Sequence, residues 1–153
     1  MILGIDDAGR GPIIGPMILA GVLLTKEQEE IMKENEVRDS KMVTQNLRLV
    51  MERVIKENSV AHKIVKASPD LIDGSLNSGT NLNELEAKMA AKIINSINKD
   101  LTEKIKVIID CPSVNVDSWK ISLMNYIDKK DNLEISCEQR QMQIIFLQLP
   151  ARF

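Results

Sequence analysis

Short apolar runs alternate with amphipathic stretches along this chain, a pattern that predicts strands and helices packed in layers. The apolar runs predict strands at residues 1–6, 15–24, 59–67, 104–110 and 133–137. One polar stretch and three stretches with apolar residues at helical spacing predict helices at residues 26–33, 44–58, 82–98 and 115–128. This alternation favours an α/β fold with some parallel strand pairs, in which functional sites lie at the carboxyl ends of strands.

The composition fits one domain and excludes several classes of protein. With 153 residues, of which 44% are hydrophobic, the chain is long enough to bury a core. Aromatic residues make up only 3% of it, which argues against a platform that stacks single-stranded bases. The net charge of −2 argues against a generally basic surface but permits a local basic patch. No apolar run approaches a membrane span and the two cysteines lack metal-ligand spacing, so we expect a cytoplasmic protein that does not enter membranes.

Three aspartates lie at the ends of predicted core strands. Asp6 and Asp7 follow the first apolar run, and Asp110 ends the fourth. If those strands are neighbours, the three carboxylates converge, and carboxylate oxygens are the ligands that Mg²⁺ and Mn²⁺ prefer. Two such ions would activate water and stabilise a leaving oxygen. The alternative interpretation is that these acids are ordinary turn residues.

Two further segments are candidates for binding phosphate. Gly9, Arg10 and Gly11 form a turn that offers backbone N–H groups and a guanidinium to a phosphodiester, although Arg10 would equally suit a surface ion pair. Ser40 and Lys41 follow a charged helix and would hydrogen-bond and pair with a phosphate, although a simple turn at a helix start explains them as well. The first guess from these residues is metal-dependent chemistry on a nucleic acid.

Several segments together resemble a known family. The run Gly4-Ile-Asp-Asp-Ala-Gly-Arg-Gly-Pro-Ile-Ile-Gly-Pro-Met17 resembles the opening signature of ribonuclease HII, particularly of its archaeal branch. Residues 39–41, 82–86 and 107–113 follow in that family's order and rough spacing. The resemblance covers residues 1–138 and implies a ribonuclease H-like fold, a mixed five-stranded sheet flanked by helices. It further implies cleavage of the RNA strand of RNA–DNA hybrids, and cleavage 5′ of ribonucleotides embedded in duplex DNA.

The resemblance also implies roles for individual residues. Asp6, Asp7 and Asp110 match the acids that bind Mg²⁺ or Mn²⁺ in a two-metal site and leave 3′-hydroxyl and 5′-phosphate ends. Gly9, Arg10 and Gly11 match the loop that recognises the ribonucleotide and its 2′-hydroxyl, the group that distinguishes RNA from DNA. Lys41 matches a lysine near the substrate backbone.

Two departures from the family pattern bear on activity. Asp7 stands where the family usually has glutamate. After Glu138 the family continues Glu-His-Lys-Ala-Asp-Ala, in which the aspartate is the fourth catalytic carboxylate, whereas residues 139–153 contain no acid. Restoring one pyrimidine to a possible codon of Gln139 changes the following reading frame to His-Lys-Ala-Asp-Ala-Asn-Tyr-Ile-Pro.

We therefore expect two segments: residues 1–138 as the N-terminal portion of the catalytic domain, incomplete at its C-terminus, and residues 139–153 as an out-of-frame tail. One metal position would lack a ligand and one sheet face would lack apolar cover, so that an otherwise monomeric protein would be impaired and prone to aggregate. The alternatives are an inactive module that binds hybrids, a nuclease of the ribonuclease HIII type, and a metal-dependent phosphatase acting on small esters.

Overall fold

A mixed sheet of five strands with helices on both faces forms the fold. The computed structural model describes residues 1–8, 15–34 and 45–138, and the expected tail at 139–153 lies outside them. The strands are β1 (Ile2–Ala8), β2 (Met17–Leu24), β3 (Ala61–Ala67), β4 (Ile105–Asp110) and β5 (Leu133–Glu138). The helices are α1 (Lys26–Glu34), α2 (Gln45–Asn58), α3 (Pro69–Asn77), α4 (Leu82–Asn98) and α5 (Val116–Asn125).

The strand order across the sheet is β3-β2-β1-β4-β5. The β1–β2 and β2–β3 pairs are antiparallel. The β1–β4 and β4–β5 pairs are parallel. The α/β class and the mixed five-stranded sheet predicted from the sequence are confirmed. The carboxyl ends of β1, β4 and β5 lie at one end of the sheet, which we call the Asp110 end.

One face of the sheet, which we call the α4 face, carries the larger core. Alternate residues of the strands, such as Leu3, Leu19 and Val107, pack there against α4 and α5. Gly21 allows the closest approach, because a Cβ at that position would overlap Cγ2 of Ile93 on α4. This face therefore holds α4 in a defined position above β2 and β3.

The opposite face, which we call the α2 face, carries a smaller core. Its buried residues come from β2, α1 and α2, namely Ala20, Val22, Leu24, Met32, Met51 and Ile55. Met51 and Ile55 lie one helical turn apart and face the sheet, whereas Val50 is 57% exposed. Contact with the sheet therefore occupies a narrower stripe than the apolar residues of α2 cover.

Helix α4 runs from the Asp110 end of the sheet toward the opposite end. Asn81 caps it by accepting a hydrogen bond from the backbone N–H of Glu84 at 2.8 Å, as its sequence position predicts. Its 17 residues extend for about 25 Å, and the chain then turns back into β4. The start of α4 therefore lies at the Asp110 end of the sheet.

No helix in the described parts of the chain combines the length and the hydropathy that crossing a membrane requires.

Candidate metal centre

Parallel pairing of β1 and β4 brings two of the predicted acids together. Ile5 is the partner of Ile109 in this pair, so Asp6 and Asp110 follow at neighbouring positions on adjacent strands. Both belong to the α2 face, since Gly4 pairs with Ile108 one step earlier on the same face. Each side chain is half-buried. Two carboxylates thus leave the carboxyl ends of two parallel core strands side by side.

Asp7 joins them although it follows Asp6 directly. In a regular strand neighbouring residues point to opposite faces, and Asp7 pairs with Leu19, whose side chain belongs to the α4 face. The backbone N–H of Asp7 donates a hydrogen bond to Oδ1 of Asp6 at 2.8 Å, which orients the first carboxylate at the end of the strand. One carboxylate oxygen from each of Asp6, Asp7 and Asp110 lies within 4.8 Å of the other two.

This donor set fits a hard divalent cation. It offers only carboxylate oxygens, which suit Mg²⁺ or Mn²⁺ better than softer metals. Three half-buried negative charges so close together repel one another, and a cation between them removes that repulsion. Within residues 1–8, 15–34 and 45–138, this is the one group of three acidic, histidine or cysteine side chains with ligand atoms at such spacing.

Five further site residues are predicted from the sequence. Gly9, Arg10 and Gly11, as well as Ser40 and Lys41, fall outside the described residues. Their roles in binding phosphate and ribonucleotide stay predictions.

The two cysteines, Cys111 and Cys137, are free thiols. Cys111 follows Asp110, is buried, and points its sulfur at the backbone carbonyl of Ser113 at 3.6 Å. Burial, together with the nearby Cys111, raises the pKa of Cys137 to about 11. Since the thiolate is the reactive form, the Cys137 thiol is a poor nucleophile at neutral pH.

One buried carboxylate was missed as a residue of interest. Glu86 lies in the second turn of α4, toward the Asp110 end of the sheet, and is only 2% exposed. From its position in the sequence, Glu86 belongs only to the helix predicted at residues 82–98. The available signal was a charged residue within an otherwise apolar stripe, because burying a carboxylate is costly unless its surroundings compensate.

Known proteins with similar sequences and folds belong to the ribonuclease HII family or share its fold. A sequence profile described as ribonuclease HII matches residues 3–144 of this chain. Ribonuclease HII of Nanoarchaeum equitans is 39% identical over 128 residues, which make up 83% of this chain and 57% of the relative. Among solved structures, the PCNA:RNase HII complex from Archaeoglobus fulgidus matches with a TM-score of 0.74 and 26% identity, over 92% of this chain and 62% of that chain.

A more distant fold relative is Bst-RNase HIII, solved in complex with Mn²⁺. It matches with a TM-score of 0.68 and 20% identity, over 91% of this chain and 45% of that chain, which establishes a shared fold alone. In all three comparisons this chain spans less than two thirds of the relative's length.

Proposed function

Because this chain belongs to the ribonuclease HII family, we propose that it acts on RNA–DNA hybrids and on duplex DNA with embedded ribonucleotides. The reaction is hydrolysis of a phosphodiester on the 5′ side of a ribonucleotide, leaving 3′-hydroxyl and 5′-phosphate ends. The convergence of Asp6, Asp7 and Asp110 within 4.8 Å is the main support for this proposal. The choice of substrate rests on membership of the ribonuclease HII family.

The three aspartates have distinct tasks in this proposal. Asp6 and Asp110 hold a divalent ion between adjacent strand ends, and Asp7 serves a second ion or its water. Bound Mg²⁺ or Mn²⁺ would neutralise the phosphate charge and lower the pKa of a coordinated water. The aspartates keep these positions because each lies near the carboxyl end of a core strand, whose pairing leaves the backbone little freedom.

Recognition of the ribonucleotide falls to segments that follow the first strand. We assign Gly9, Arg10 and Gly11 to the ribose and its 2′-hydroxyl, and Ser40 and Lys41 to phosphates of the substrate backbone. Small residues let a ribose approach the backbone closely, and a guanidinium suits a phosphate. These assignments derive from the family motif alone.

A second candidate function is hybrid binding without efficient cleavage. Residues 139–153 contain no acid, and Met142 stands where the family pattern places its fourth catalytic aspartate. A two-metal site with three carboxylates has one ligand fewer for its second ion. We propose that residues 1–138 form the N-terminal portion of a ribonuclease H-like domain, and that 139–153 are read out of frame.

We further propose that the chain works as a monomer in the reducing cytoplasm. Both cysteines are free, which agrees with a compartment that keeps thiols reduced. Sedimentation of the full chain would measure its oligomeric state, and a stable dimer would contradict this part of the proposal.

The test uses the full chain with a labelled RNA–DNA hybrid in Mg²⁺ or Mn²⁺. We expect weak cleavage that leaves 3′-hydroxyl ends, and loss of that cleavage in Asp110→Asn. Calorimetric titration with Mn²⁺ alone should show weaker binding for Asp110→Asn, because one charged ligand is gone. Asp117→Asn is the matched control, since Asp117 is an exposed acid in the first turn of α5 and not part of the three-acid group.

The variant Met142→Asp separates the two candidate functions. If a missing fourth carboxylate limits the reaction, Met142→Asp cleaves the hybrid faster than the unaltered chain. Hybrid binding without cleavage in both proteins would favour the binding module. A chain that neither binds Mn²⁺ nor retains the hybrid would contradict both functions.

A further inference from the structure

Lys66 lies near the end of β3, on the same face of the sheet as Asp6. It pairs with Ile18 of β2, and Ile18 pairs in turn with Ala8 of β1. Residues that pair directly across strands share a face, so Lys66 belongs to the α2 face with Asp6 and Asp110. Its side chain is exposed.

Strand geometry sets the distance between Lys66 and the three aspartates. Lys66 is two strands away from Asp6 and two residues further toward the Asp110 end. With about 4.8 Å between strands and about 3.4 Å per residue, their Cα atoms are about 12 Å apart. Because successive phosphates of one strand advance by about 3.4 Å along the helix axis, Lys66 lies within a few phosphates of the group that the aspartates would engage.

The charge of the molecule makes a local cation important at this place. The chain has a net charge of −2, and its candidate metal centre adds three carboxylates to the surface that a polyanion would approach. Among the described strand residues of the α2 face there are two lysines, Lys66 and Lys106, both exposed. Lys106 precedes Asp110 by four residues and therefore lies toward the opposite end of the sheet.

We propose that Lys66 binds a phosphate of the nucleic-acid strand a few phosphates from the one that reacts. This inference rests on the proposed function and adds a positioning residue to it. A Lys ammonium on a flexible stem pairs with phosphate as a point charge, which suits a contact that sets register without reading bases. A strand crossing the Asp110 end of the sheet toward β3 would reach Lys66 but pass away from Lys106.

The test measures how affinity for a hybrid duplex depends on salt. Binding of the full chain is followed by fluorescence anisotropy in Ca²⁺, between about 50 and 200 mM NaCl, with a gel to verify that the hybrid stays intact. Each phosphate contact contributes about 0.9 to the slope of log affinity against log salt. We expect Lys66→Gln to reduce the magnitude of this slope by about 0.9. Over this range of salt, the factor by which affinity falls should then be about 3.5 times smaller for the variant than for the unaltered chain.

Three variants make the result specific. Lys66→Arg keeps the cation and should keep the slope, and Lys106→Gln removes an exposed strand lysine of the same face and should leave it unchanged. If Lys66→Gln proves unstable, Lys66→Thr provides the same loss of charge with a residue suited to a strand.

The outcomes separate this inference from the proposed function. An unchanged slope in Lys66→Gln, or an equal loss in Lys106→Gln, would overturn the role of Lys66 while leaving hybrid binding intact. If Lys66→Arg reduced the salt slope as much as Lys66→Gln, the positive charge of Lys66 would not be the cause. Failure of the unaltered chain to bind hybrid would overturn both the inference and the proposed function.

Discussion

At the scale of single residues, small differences in environment separate residues of the same type. Asp6 and Asp7 are neighbours in sequence, yet strand pairing assigns them to opposite faces and only the end of β1 lets their carboxylates converge with Asp110. Glu84 and Glu86 are two residues apart on α4, yet Glu84 lies at the surface and Glu86 is buried. Residue type therefore indicates possible chemistry, and position decides which part of it is available.

A hydrogen bond from Tyr126 lowers the pKa of Glu84. The Tyr126 hydroxyl donates a hydrogen bond to Oε1 of Glu84 at 2.7 Å, and this bond, with a smaller effect of Lys88, lowers the pKa of the Glu84 carboxyl. We expect Tyr126→Phe to raise the pKa of Glu84 toward its ordinary value, as measured by NMR titration of the Glu84 carboxyl carbon.

The same bond makes a pH-dependent contribution to stability. A carboxyl whose pKa is lower in the folded than in the unfolded state stabilises the fold above the unfolded pKa, and this contribution is lost as pH falls through the folded pKa. Tyr126→Phe should therefore reduce stability to urea at about pH 7 more than at about pH 3, on either side of the usual carboxyl pKa. An equal loss at both pH values would mean that packing of the ring, rather than the hydrogen bond, is responsible.

At the scale of elements, every strand predicted from the sequence is present, with bounds that differ by a few residues. Continuous apolar runs predict strands well here because both faces of the sheet are covered by helices. Helix α3 was not predicted, since none of its residues is buried and it carries no apolar stripe of useful length. Its signal was local: Ser68 caps it and Pro69 begins it.

Substitutions of two glycines test how closely α4 packs on the sheet and how stable α3 is as a helix. Gly21→Ala would place a methyl group against Ile93, so we expect a loss of about 1–3 kcal/mol in the free energy of unfolding. Gly74 lies inside α3 and has no atom within 4 Å of the position a Cβ would take. Gly74→Ala should therefore stabilise the protein by about 0.5–1 kcal/mol. Urea unfolding measures both, and a neutral Gly21→Ala would mean that α4 can move away from the sheet.

At the scale of the whole molecule, contacts between distant segments hold the sheet and α4 in register. Asn98, at the end of α4, and Asn132, before β5, are both buried and exchange hydrogen bonds of 2.8 and 3.1 Å. Asn132 also donates to the carbonyl of Glu103 at 2.9 Å, in the connection that leads into β4. This pair thus links one helix to the entry of two parallel strands.

Removing one side chain of the Asn98–Asn132 pair should lower the stability of the fold by more than one hydrogen bond contributes, because buried polar groups then lose their partner. Asn132→Ala removes the donor to Oδ1 of Asn98 and to the carbonyl of Glu103, so we expect a loss of about 1–3 kcal/mol in the free energy of unfolding. The variants Asn98→Ala, Asn132→Ala and the double variant form a cycle measured by urea unfolding. Asn125→Ala, at an exposed asparagine, is the control. Strictly additive losses in the cycle would contradict the coupling between the two side chains.

The sequence by itself determined the elements of this protein and the chemistry it offers. Apolar runs, helical spacing and the cap at Asn81 depend on neighbouring residues, and an opening motif with its acids identifies a family without knowledge of distances. Only the tertiary structure decided that Asp7 reaches the other two acids, that Glu86 is buried and that Lys66 shares a face with Asp6. These properties depend on which strands pair and in which register, and residues far apart in the chain determine them together.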